Sequence, residues 1–489
     1  MTIHLVDGRT IDKRNNILAF SLLVFILTIF ALLTANGFAF GGQTCLTVKY
    51  DPEGNLQWAA QYLSDCFSPS LVTNDAGQVY VVQQSTLIKY DNDGSESWVA
   101  TYPNESYLTS IVANGPQYFL VAGSQTPPTV PGNRMDVARY DENGDPVWTA
   151  NATVDSGWAV DLALGPTGAV AVAGVTTGLD SFVDCLVVQF SADGTEDWRA
   201  TYHVDGLDCL AEAVTIDADS NVIVTGGAET SHRAVTVKYD QDGNQLWAVE
   251  DMGAYALDVT TDSERNVLVT GAKDGGYYTL KYDSSGNSLW SATWFGPGGY
   301  LADHAVALAL DSAENVIVSG LAYDGENDVA DIATVKYDGD GNELWVANLA
   351  NSRDHDSAGV AVDSSDNVVI AGTELEEVIP PNHYVVVKYD PDGNETWTNR
   401  YDDPGFYRRG LTALALDENG AVYVTGEADL APDDDTAPPV DDDADDDTVT
   451  DDDNTPDDDT ASDDDTAPDD DLIVDDDNTS DDDSTGCGC

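Results

Sequence analysis

The sequence predicts an all-β protein, an eight-bladed β-propeller. A frame of aromatic, polar, two variable residues, Gly, three residues and Trp occurs eight times, and eight of the ten tryptophans occupy its last position. A second motif alternates with this frame: an apolar strand, a short turn, then a second apolar strand that usually ends in Gly. Successive frame tryptophans lie 40 to 55 residues apart, a period typical of propeller blades. Each unit therefore holds the four short strands of one blade.

The first motif predicts a β-hairpin, whose strands we call C and D. Residues 336–345, KYDGDGNELW, are its clearest copy, with strand-forming residues on both sides of an Asp-x-x-Gly turn. The Asp can accept bonds from the turn backbone, and the Gly can adopt the positive φ of a tight connection. The Gly is present in all eight copies, at Gly54, Gly94, Gly144, Gly194, Gly243, Gly286, Gly341 and Gly393.

The second motif predicts two further strands, A and B. Residues 304–320, HAVALALDSAENVIVSG, show it most clearly, and related segments begin at residues 211, 256, 357 and 411. Weaker copies begin near Leu71, Leu108 and Ala159, and the first of these has Gln83 where the others have Gly. Eight copies of each motif predict eight blades.

The order of the motifs predicts how the ring closes. Strands C and D come first, at residues 45–61, seven complete A-B-C-D units follow, and strands A and B come last, at residues 411–427. Neither end can form a blade alone, so we expect the two ends to pair into one blade of a propeller domain covering residues 44–430. Such pairing removes the open sheet edges that invite aggregation.

The repeat resembles a known family. The pattern DxxNVxVTG followed by TVKYDxxGNxLW, over roughly residues 45–428, resembles the bacterial SBBP β-propeller repeat of large secreted and surface proteins. The resemblance implies the fold and a place outside the cell. It implies no chemistry, because that family has no shared catalytic motif and a fold alone does not give activity.

A second resemblance points to an enzyme. Gly-x-x-x-Trp after an Asp resembles the tryptophan-docking motif of quinoprotein alcohol dehydrogenases, which also have eight blades. Here the Asp lies three residues before the Gly instead of four, the Thr expected before that Gly is absent, and the chain has no adjacent cysteines. The quinoprotein interpretation is therefore the less favoured one, and no cofactor is predicted.

The net charge limits the partners. The chain of 489 residues has a formal charge of -70 and only 19 Lys plus Arg, which disfavours binding to nucleic acid and to anionic membrane surfaces. Removing the 27 Asp residues that follow Leu430 still leaves -43 on the remainder. Such a surface suits cationic partners, divalent ions or a salty medium.

The N-terminus predicts export. Lys13 and Arg14 precede an apolar run at residues 17–33, and Gly37-Phe38-Ala39 offers small residues to a signal peptidase. We predict that residues 1–39 are a signal peptide and that the protein is secreted or held at a bacterial cell surface. An uncleaved membrane anchor is the alternative, because the run is close to the lower limit of roughly 17 residues for a membrane span.

Four cysteines occupy matching places in two blades. Cys45 and Cys185 each lie five residues before the frame aromatic, and Cys66 and Cys209 lie in the D-to-A connections that follow. We therefore predict disulfides Cys45–Cys66 and Cys185–Cys209, which an oxidising compartment allows. Buried free thiols are the alternative.

The C-terminal segment, residues 431–489, has a different composition. From Asp445 it repeats three Asp and three small or apolar residues, and it ends in Cys487-Gly488-Cys489. It has little to bury and repels itself, which predicts a disordered stalk. The final Cys487 and Cys489 suggest attachment to an envelope component or to another chain, whereas a purely solubilising tail is the alternative.

The acidic turns do not predict a metal site. Five C-D turns are acidic at both their first and third positions, as at Asp338 and Asp340, but calcium needs roughly six or more oxygen ligands. Turn stabilisation is the better interpretation, and weak association of calcium with the acidic tail is more plausible than a defined site.

Recognition is predicted on one face of the ring. The A-to-B and C-to-D turns are short and uniform, whereas the D-to-A and B-to-C loops vary in length, and variable loops on a rigid scaffold usually carry binding. We call the face with these variable loops the loop face. Its aromatic, basic and histidine residues are Trp158, Tyr255, Trp294, Phe295, Tyr300, His203, His304, Arg353, His355, Phe406, Tyr407, Arg408 and Arg409.

The sequence thus predicts a monomeric, non-catalytic propeller that binds an extracellular protein or glycan. The alternative is an enzyme with a site in the central funnel, either a quinoprotein-like oxidoreductase or a polysaccharide lyase or hydrolase. For it, His304 and His355 could lie near Asp303, Asp354 and Asp356, although solvated loop charges are commoner than acid-base sites. The chain contains no nucleophile elbow, phosphate-binding loop or His-Glu-x-x-His motif.

Overall fold

A computed structural model describes residues 43–430 apart from short gaps at 64–65, 75, 104–105, 126–133, 178–181, 229–231, 300–302, 324–329, 350–354, 376–381 and 402–405. The proposed signal peptide, the acidic tail and its two cysteines lie outside the described residues. No described residues form a helix long and apolar enough to cross a membrane.

The described residues form thirty-two strands and no helix, and the strands pair into eight antiparallel sheets of four. These eight sheets are the predicted blades. In chain order, blade 1 holds β1 Gln43–Tyr50, β2 Leu56–Leu63, β31 Phe406–Leu416 and β32 Val422–Leu430; blade 2 holds β3 Ser70–Thr73, β4 Val79–Gln83, β5 Thr86–Tyr90 and β6 Glu96–Thr101; blade 3 holds β7 Tyr107–Ala113, β8 Tyr118–Gln125, β9 Arg134–Asp141 and β10 Pro146–Thr153; blade 4 holds β11 Trp158–Leu164, β12 Val170–Thr177, β13 Val183–Phe190 and β14 Glu196–Tyr202; blade 5 holds β15 Leu210–Ile216, β16 Val222–Ala228, β17 Arg233–Tyr239 and β18 Gln245–Met252; blade 6 holds β19 Ala254–Thr261, β20 Val267–Lys273, β21 Gly276–Tyr282 and β22 Ser288–Trp294; blade 7 holds β23 His304–Leu310, β24 Val316–Tyr323, β25 Ala330–Tyr337 and β26 Glu343–Leu349; and blade 8 holds β27 His355–Val362, β28 Val368–Glu374, β29 His383–Tyr389 and β30 Glu395–Tyr401.

Blade 1 joins the two ends of the ring, as predicted. Strand β1 pairs antiparallel with β32 along its whole length, with Leu46 opposite Gly426 and Val48 opposite Val424. The hydroxyls of Thr47 and Thr425 lie 3.1 Å apart inside this pairing. Blade 1 is therefore shared between the first and last strands of the domain, and the ring has no open sheet edge between its ends.

The blades are arranged around an inner ring of strands. The strands β31, β3, β7, β11, β15, β19, β23 and β27 each contact the next one, and the last contacts the first. The two middle strands of a blade are almost wholly buried, as in β16 and β17, whereas the outer strands alternate exposed and half-buried residues. The apolar core lies between neighbouring blades, because each core cluster combines side chains of adjacent sheets.

The frame tryptophans join each blade to the next. The indole Nε1 of Trp58 donates to the carbonyl of Asn92 at 2.9 Å, and its ring covers the turn at Gly94. Gly94 has a φ of 82°, and a Cβ there would lie 2.6 Å from Trp58 Cγ, so a side chain has no room. The other seven tryptophans make the same bond to the next turn: Trp98 to Glu142, Trp148 to Ala192, Trp198 to Gln241, Trp247 to Ser284, Trp290 to Gly339, Trp345 to Pro391 and Trp397 to Pro52.

A set of buried ion pairs that the repeat pattern did not predict lies beside the tryptophans. In blades 5 to 8 the Lys before the frame aromatic bonds the Asp of the A-to-B turn in its own blade, at 2.8 to 3.0 Å: Lys238 with Asp217, Lys281 with Asp262, Lys336 with Asp311 and Lys388 with Asp363. Three of these lysines also donate to a carbonyl of the next blade's C-D turn, as Lys336 does to Pro391 at 3.2 Å. Blade 4 has Gly165 and Gln189 at the two positions, so it lacks both charges.

Both predicted disulfides are present. Cys45 is bonded to Cys66, and Cys185 to Cys209. Each disulfide ties the start of a C strand to the D-to-A connection of the same chain segment. Closing loops of 21 and 24 residues in this way restricts the unfolded chain and stabilises the fold.

Candidate functional site

We call the face with the A-to-B and C-to-D turns the turn face. Asp side chains on this face form hydrogen bonds that hold the turns in shape. In the turn at residues 338–342, Asp338 Oδ1 accepts from the backbone N–H groups of Asp340 and Asn342. Hydrogen bonds from Asn342 and the turn backbone hold the pKa of Asp338 below its ordinary value. Among the described residues, no group of three His, Cys, Asp or Glu side chains is placed to hold a metal ion.

The loop face carries a groove of about 610 Å³ between blades 3 and 4. Most of its lining residues have polar side chains, and they come from strand ends on that face. The lining residues are Thr153, Val154, Asp155, Thr176, Thr177, Asp184, Leu186, Arg199, Thr201 and His203. We call this feature the blade 3–4 groove.

One wall of the groove is the face of blade 4. Side chains at alternate positions of a strand share a face, which brings Arg199, Thr201 and His203 to the same side of the sheet. Cross-strand pairing adds Leu186 opposite Thr201, and it places Asp184 on the same side. The other wall is the end of β10 in blade 3, where Thr153 and Asp155 lie.

Two of the charged groups in this wall are paired. His203 Nδ1 lies 2.7 Å from Asp184 Oδ1, and the ring donates because an ionised carboxylate only accepts. Arg199 makes two bonds to Glu196, each 2.6 Å long, and its Nη1 donates to the Thr153 carbonyl at 2.8 Å. Arg199 therefore joins blade 4 to blade 3, and its charge is balanced by Glu196.

Several polar groups of the groove are available to a ligand. The hydroxyls of Thr153, Thr176 and Thr201 and the carboxylate of Asp155 have no hydrogen-bond partner within the described part of the chain. Thr177, in contrast, donates to the Ser156 carbonyl at 3.0 Å. The groove thus presents three hydroxyls, which can both donate and accept, beside a carboxylate that accepts.

The disulfide Cys185–Cys209 fixes the edge of the groove. Cys185 follows Asp184 directly, and Cys209 N donates to the Val183 carbonyl at 2.7 Å. Val183 N in turn donates to Asp208 Oδ1 at 2.8 Å. The loop after His203 is therefore held against the start of β13, which positions Asp184 and His203.

A second feature of the loop face is an arc of aromatic and apolar side chains on the inner ring. Tyr107, Trp158, Leu210, Tyr255 and His304 occupy the same register in blades 3 to 7, each opposite the residue that follows the Gly of strand B. Trp158 is 43% exposed and Tyr107 is 61% exposed. Tyr107 was not predicted, although its place before the A-strand apolar residue matches that of Trp158.

The remaining predicted residues fall into two groups. Phe295 is 47% exposed, whereas Trp294 is half-buried and packs edge-on against Tyr277, with ring centroids 5.0 Å apart. Tyr255 packs edge-on against His232. Tyr300 and Arg353 lie outside the described residues, and only the backbone is described for His355, Phe406, Tyr407, Arg408 and Arg409.

The carboxylates of the inner region are occupied by backbone bonds. Asp303 is buried and accepts from Gly296 N and Tyr323 N, so it holds its own loop together. Asp161 accepts from Val214 N at 3.0 Å, and Asp258 accepts from Leu308 N at 2.8 Å, so each links two neighbouring inner strands. Burial raises the pKa of Asp258 to about 7. These carboxylates hold the backbone in place through hydrogen bonds. Their arrangement does not favour the alternative of an enzyme with a site in the central funnel.

Comparison with known proteins gives short or distant similarities. No family model matches the chain. It is 30% identical to the Regulatory protein FlaEY of Caulobacter vibrioides over 141 residues, which are 26% of this chain and 14% of that protein. It is 28% identical to the Uncharacterized WD repeat-containing protein L264 of Acanthamoeba polyphaga mimivirus over 120 residues, 20% of this chain and 8% of that protein. The chain thus covers a small part of either relative.

Among solved structures, the chain is similar to the Dos1 propeller. The sequence identity is 10%, the alignment covers 73% of this chain and 91% of that chain, and the TM-score is 0.48. A similarity at this level concerns the fold alone, so the function has to be argued from the residues of the loop face.

Proposed function

We propose that this chain is an exported, non-catalytic binding protein that recognises an extracellular protein or glycan through its loop face. The observation that supports this most directly is the position of the blade 3–4 groove and the aromatic arc on the same face. Exposed aromatic side chains beside polar groups that lack internal partners are typical of recognition surfaces. Among its described residues the turn face exposes no large aromatic side chain, because the frame tryptophans are half-buried against the turn of the next blade.

Export is part of the proposal. Two disulfides are compatible with an oxidising compartment outside the cytosol. The repeat's resemblance to the SBBP type and the N-terminal apolar run of residues 17–33 support the same location. We further propose that the acidic tail acts as a spacer and that Cys487 and Cys489 attach it to an envelope component.

The proposal is tested by protein and glycan arrays probed with the full chain. Trp158→Ala and Phe295→Ala remove exposed rings of the loop face, and we expect them to weaken the detected binding at least about tenfold. Leu344→Ala is the matched control, because Leu344 is 50% exposed on the outer strand β26, before the frame tryptophan. Binding that survives both loop-face changes, or that Leu344→Ala abolishes, would place recognition elsewhere.

A further inference from the structure

We infer that the blade 3–4 groove is a binding site for a neutral saccharide of one or two sugar residues. The inference rests on the proposed function and names the ligand class for one part of the loop face. The blade 3–4 groove has a volume of about 610 Å³, which falls within the range of roughly 300–1,000 Å³ that is common for small-ligand sites.

The polar groups of the groove match a ligand that is rich in hydroxyls. A sugar hydroxyl donates one hydrogen bond and accepts others, so it needs both kinds of partner. Thr153, Thr176 and Thr201 offer both, and Asp155 offers an acceptor, all without a partner in the described chain. A purely apolar ligand would leave these groups unpaired, which costs binding energy.

The charge of the groove argues against anionic ligands. Asp155, Asp184 and the nearby Glu196 carry three negative charges when ionised, against the single positive charge of Arg199. All three guanidinium nitrogens of Arg199 already donate hydrogen bonds, two to Glu196 and one to the Thr153 carbonyl. Arg199 therefore has little capacity to bind a phosphate or a carboxylate. A neutral ligand avoids the repulsion.

The geometry also favours a saccharide over an extended peptide. Peptides that bind to sheets usually pair their backbone with a free strand edge. The main wall of this groove is a sheet face that presents the side chains of Arg199, Thr201 and His203. The strand that carries them, β14, is paired only with β13 and keeps a free edge. Backbone groups at that edge point along the plane of the sheet, so a ligand that lies on the wall meets side chains.

The outer strand of blade 4 differs from that of blade 6 at two of the three positions that line the groove. The three positions of the outer strand that line the groove hold Arg199, Thr201 and His203, and the equivalent positions of blade 6 hold Ser291, Thr293 and Phe295. Thr293 is exposed, as Thr201 is. This pair gives a matched control, because the same Thr→Val change can be made in both blades.

The experiment is saturation-transfer NMR on the full chain with glucose, galactose, mannose, N-acetylglucosamine, lactose and maltose as neutral probes. Glucuronic acid and inorganic phosphate are the anionic probes. We expect saturation transfer to at least one neutral saccharide and none to the anions. Thr201→Val should raise the dissociation constant at least tenfold, whereas Thr293→Val should leave it unchanged and both variants should keep the parent melting temperature.

The inference is overturned if none of the neutral probes binds, if the anions bind better, or if the two Thr→Val variants behave alike. The array experiment with Trp158→Ala and Phe295→Ala is separate from this outcome. A partner lost in those variants but kept in Thr201→Val would support recognition on the loop face and exclude the groove as its site. If neither Trp158→Ala nor Phe295→Ala weakens the binding of any detected partner, the broader proposal is contradicted.

Discussion

At the scale of single residues, the lysines of strand C stabilise the ring through buried charge pairs. Lys238 and Asp217 are both nearly inaccessible to solvent and lie 2.8 Å apart. Burial alone would raise the pKa of Asp217, but hydrogen bonds from Lys238 and Asn221 outweigh that effect and lower it. Removing one member of a buried pair leaves the other charged group uncompensated, and this typically costs about 3–5 kcal/mol.

Lys238→Met should therefore lower the free energy of unfolding by about 3–5 kcal/mol at pH 7, measured by denaturant titration. The control is the double variant that combines Lys238→Met with Asp217→Asn. Asn is chosen because Asn74 occupies the equivalent turn position in blade 2. The double variant should recover much of the lost free energy of unfolding, because no buried charge remains. The lowered pKa of Asp217 gives stability above the unfolded value of about 3.9, lost as the pH falls through the folded pKa. The penalty of the single change should thus shrink on acidification, and equal losses in both variants would contradict the account.

At the scale of elements, the C-D hairpin of each blade is the joint to the previous blade. Its Gly leaves room for the neighbouring indole, and the turn carbonyl two residues earlier accepts the indole N–H. Every one of the eight hairpins makes this contact. A hairpin therefore needs its Gly for two reasons, the left-handed backbone and the close approach of the ring.

These two reasons can be separated experimentally. Gly286 has a φ of 84°, and an added Cβ would lie 2.8 Å from Trp247 Cδ2, whereas Gly115 has a φ of 70° and no atom within 4 Å. Both Gly→Ala changes strain the backbone, but only Gly286→Ala displaces an indole. We expect Gly286→Ala to cost about 1–3 kcal/mol more than Gly115→Ala in denaturant titrations. Equal costs would show that the ring contact contributes nothing.

The blades were predictable from the sequence, and the groove was not. The Trp, the turn Gly and the strand pattern recur in every blade, so periodicity reveals them, and the matched positions of Cys45 and Cys185 revealed both disulfides. The groove depends on departures from the repeat, at Arg199 and His203, and on the meeting of blade 4 with the end of β10. His203 was predicted on the loop face, but its bond to Asp184 depends on a strand pairing that the sequence does not specify.

At the scale of the whole molecule, the shared blade 1 makes the ring continuous. Lysine bonds to the next C-D turn, indole contacts and inner-strand bonds such as that of Leu308 N to Asp258 connect neighbouring blades. Blade 1 carries these connections across the two ends of the domain, where Trp397 bonds the Pro52 carbonyl at 3.0 Å. A closed ring keeps the strand ends of the loop face in fixed positions, which is what a preformed binding site requires.

The most direct test of this closure is a cross-link between the first and last strands. Thr47 and Thr425 face each other across β1 and β32, so Thr47→Cys with Thr425→Cys should oxidise to a disulfide. The control variant combines Thr47→Cys with Thr236→Cys, because Thr236 is buried in strand β17 of blade 5. Peptide mapping without reduction should find residue 47 joined to residue 425 and never to residue 236. Absence of the 47–425 link in a folded protein would contradict the closed ring.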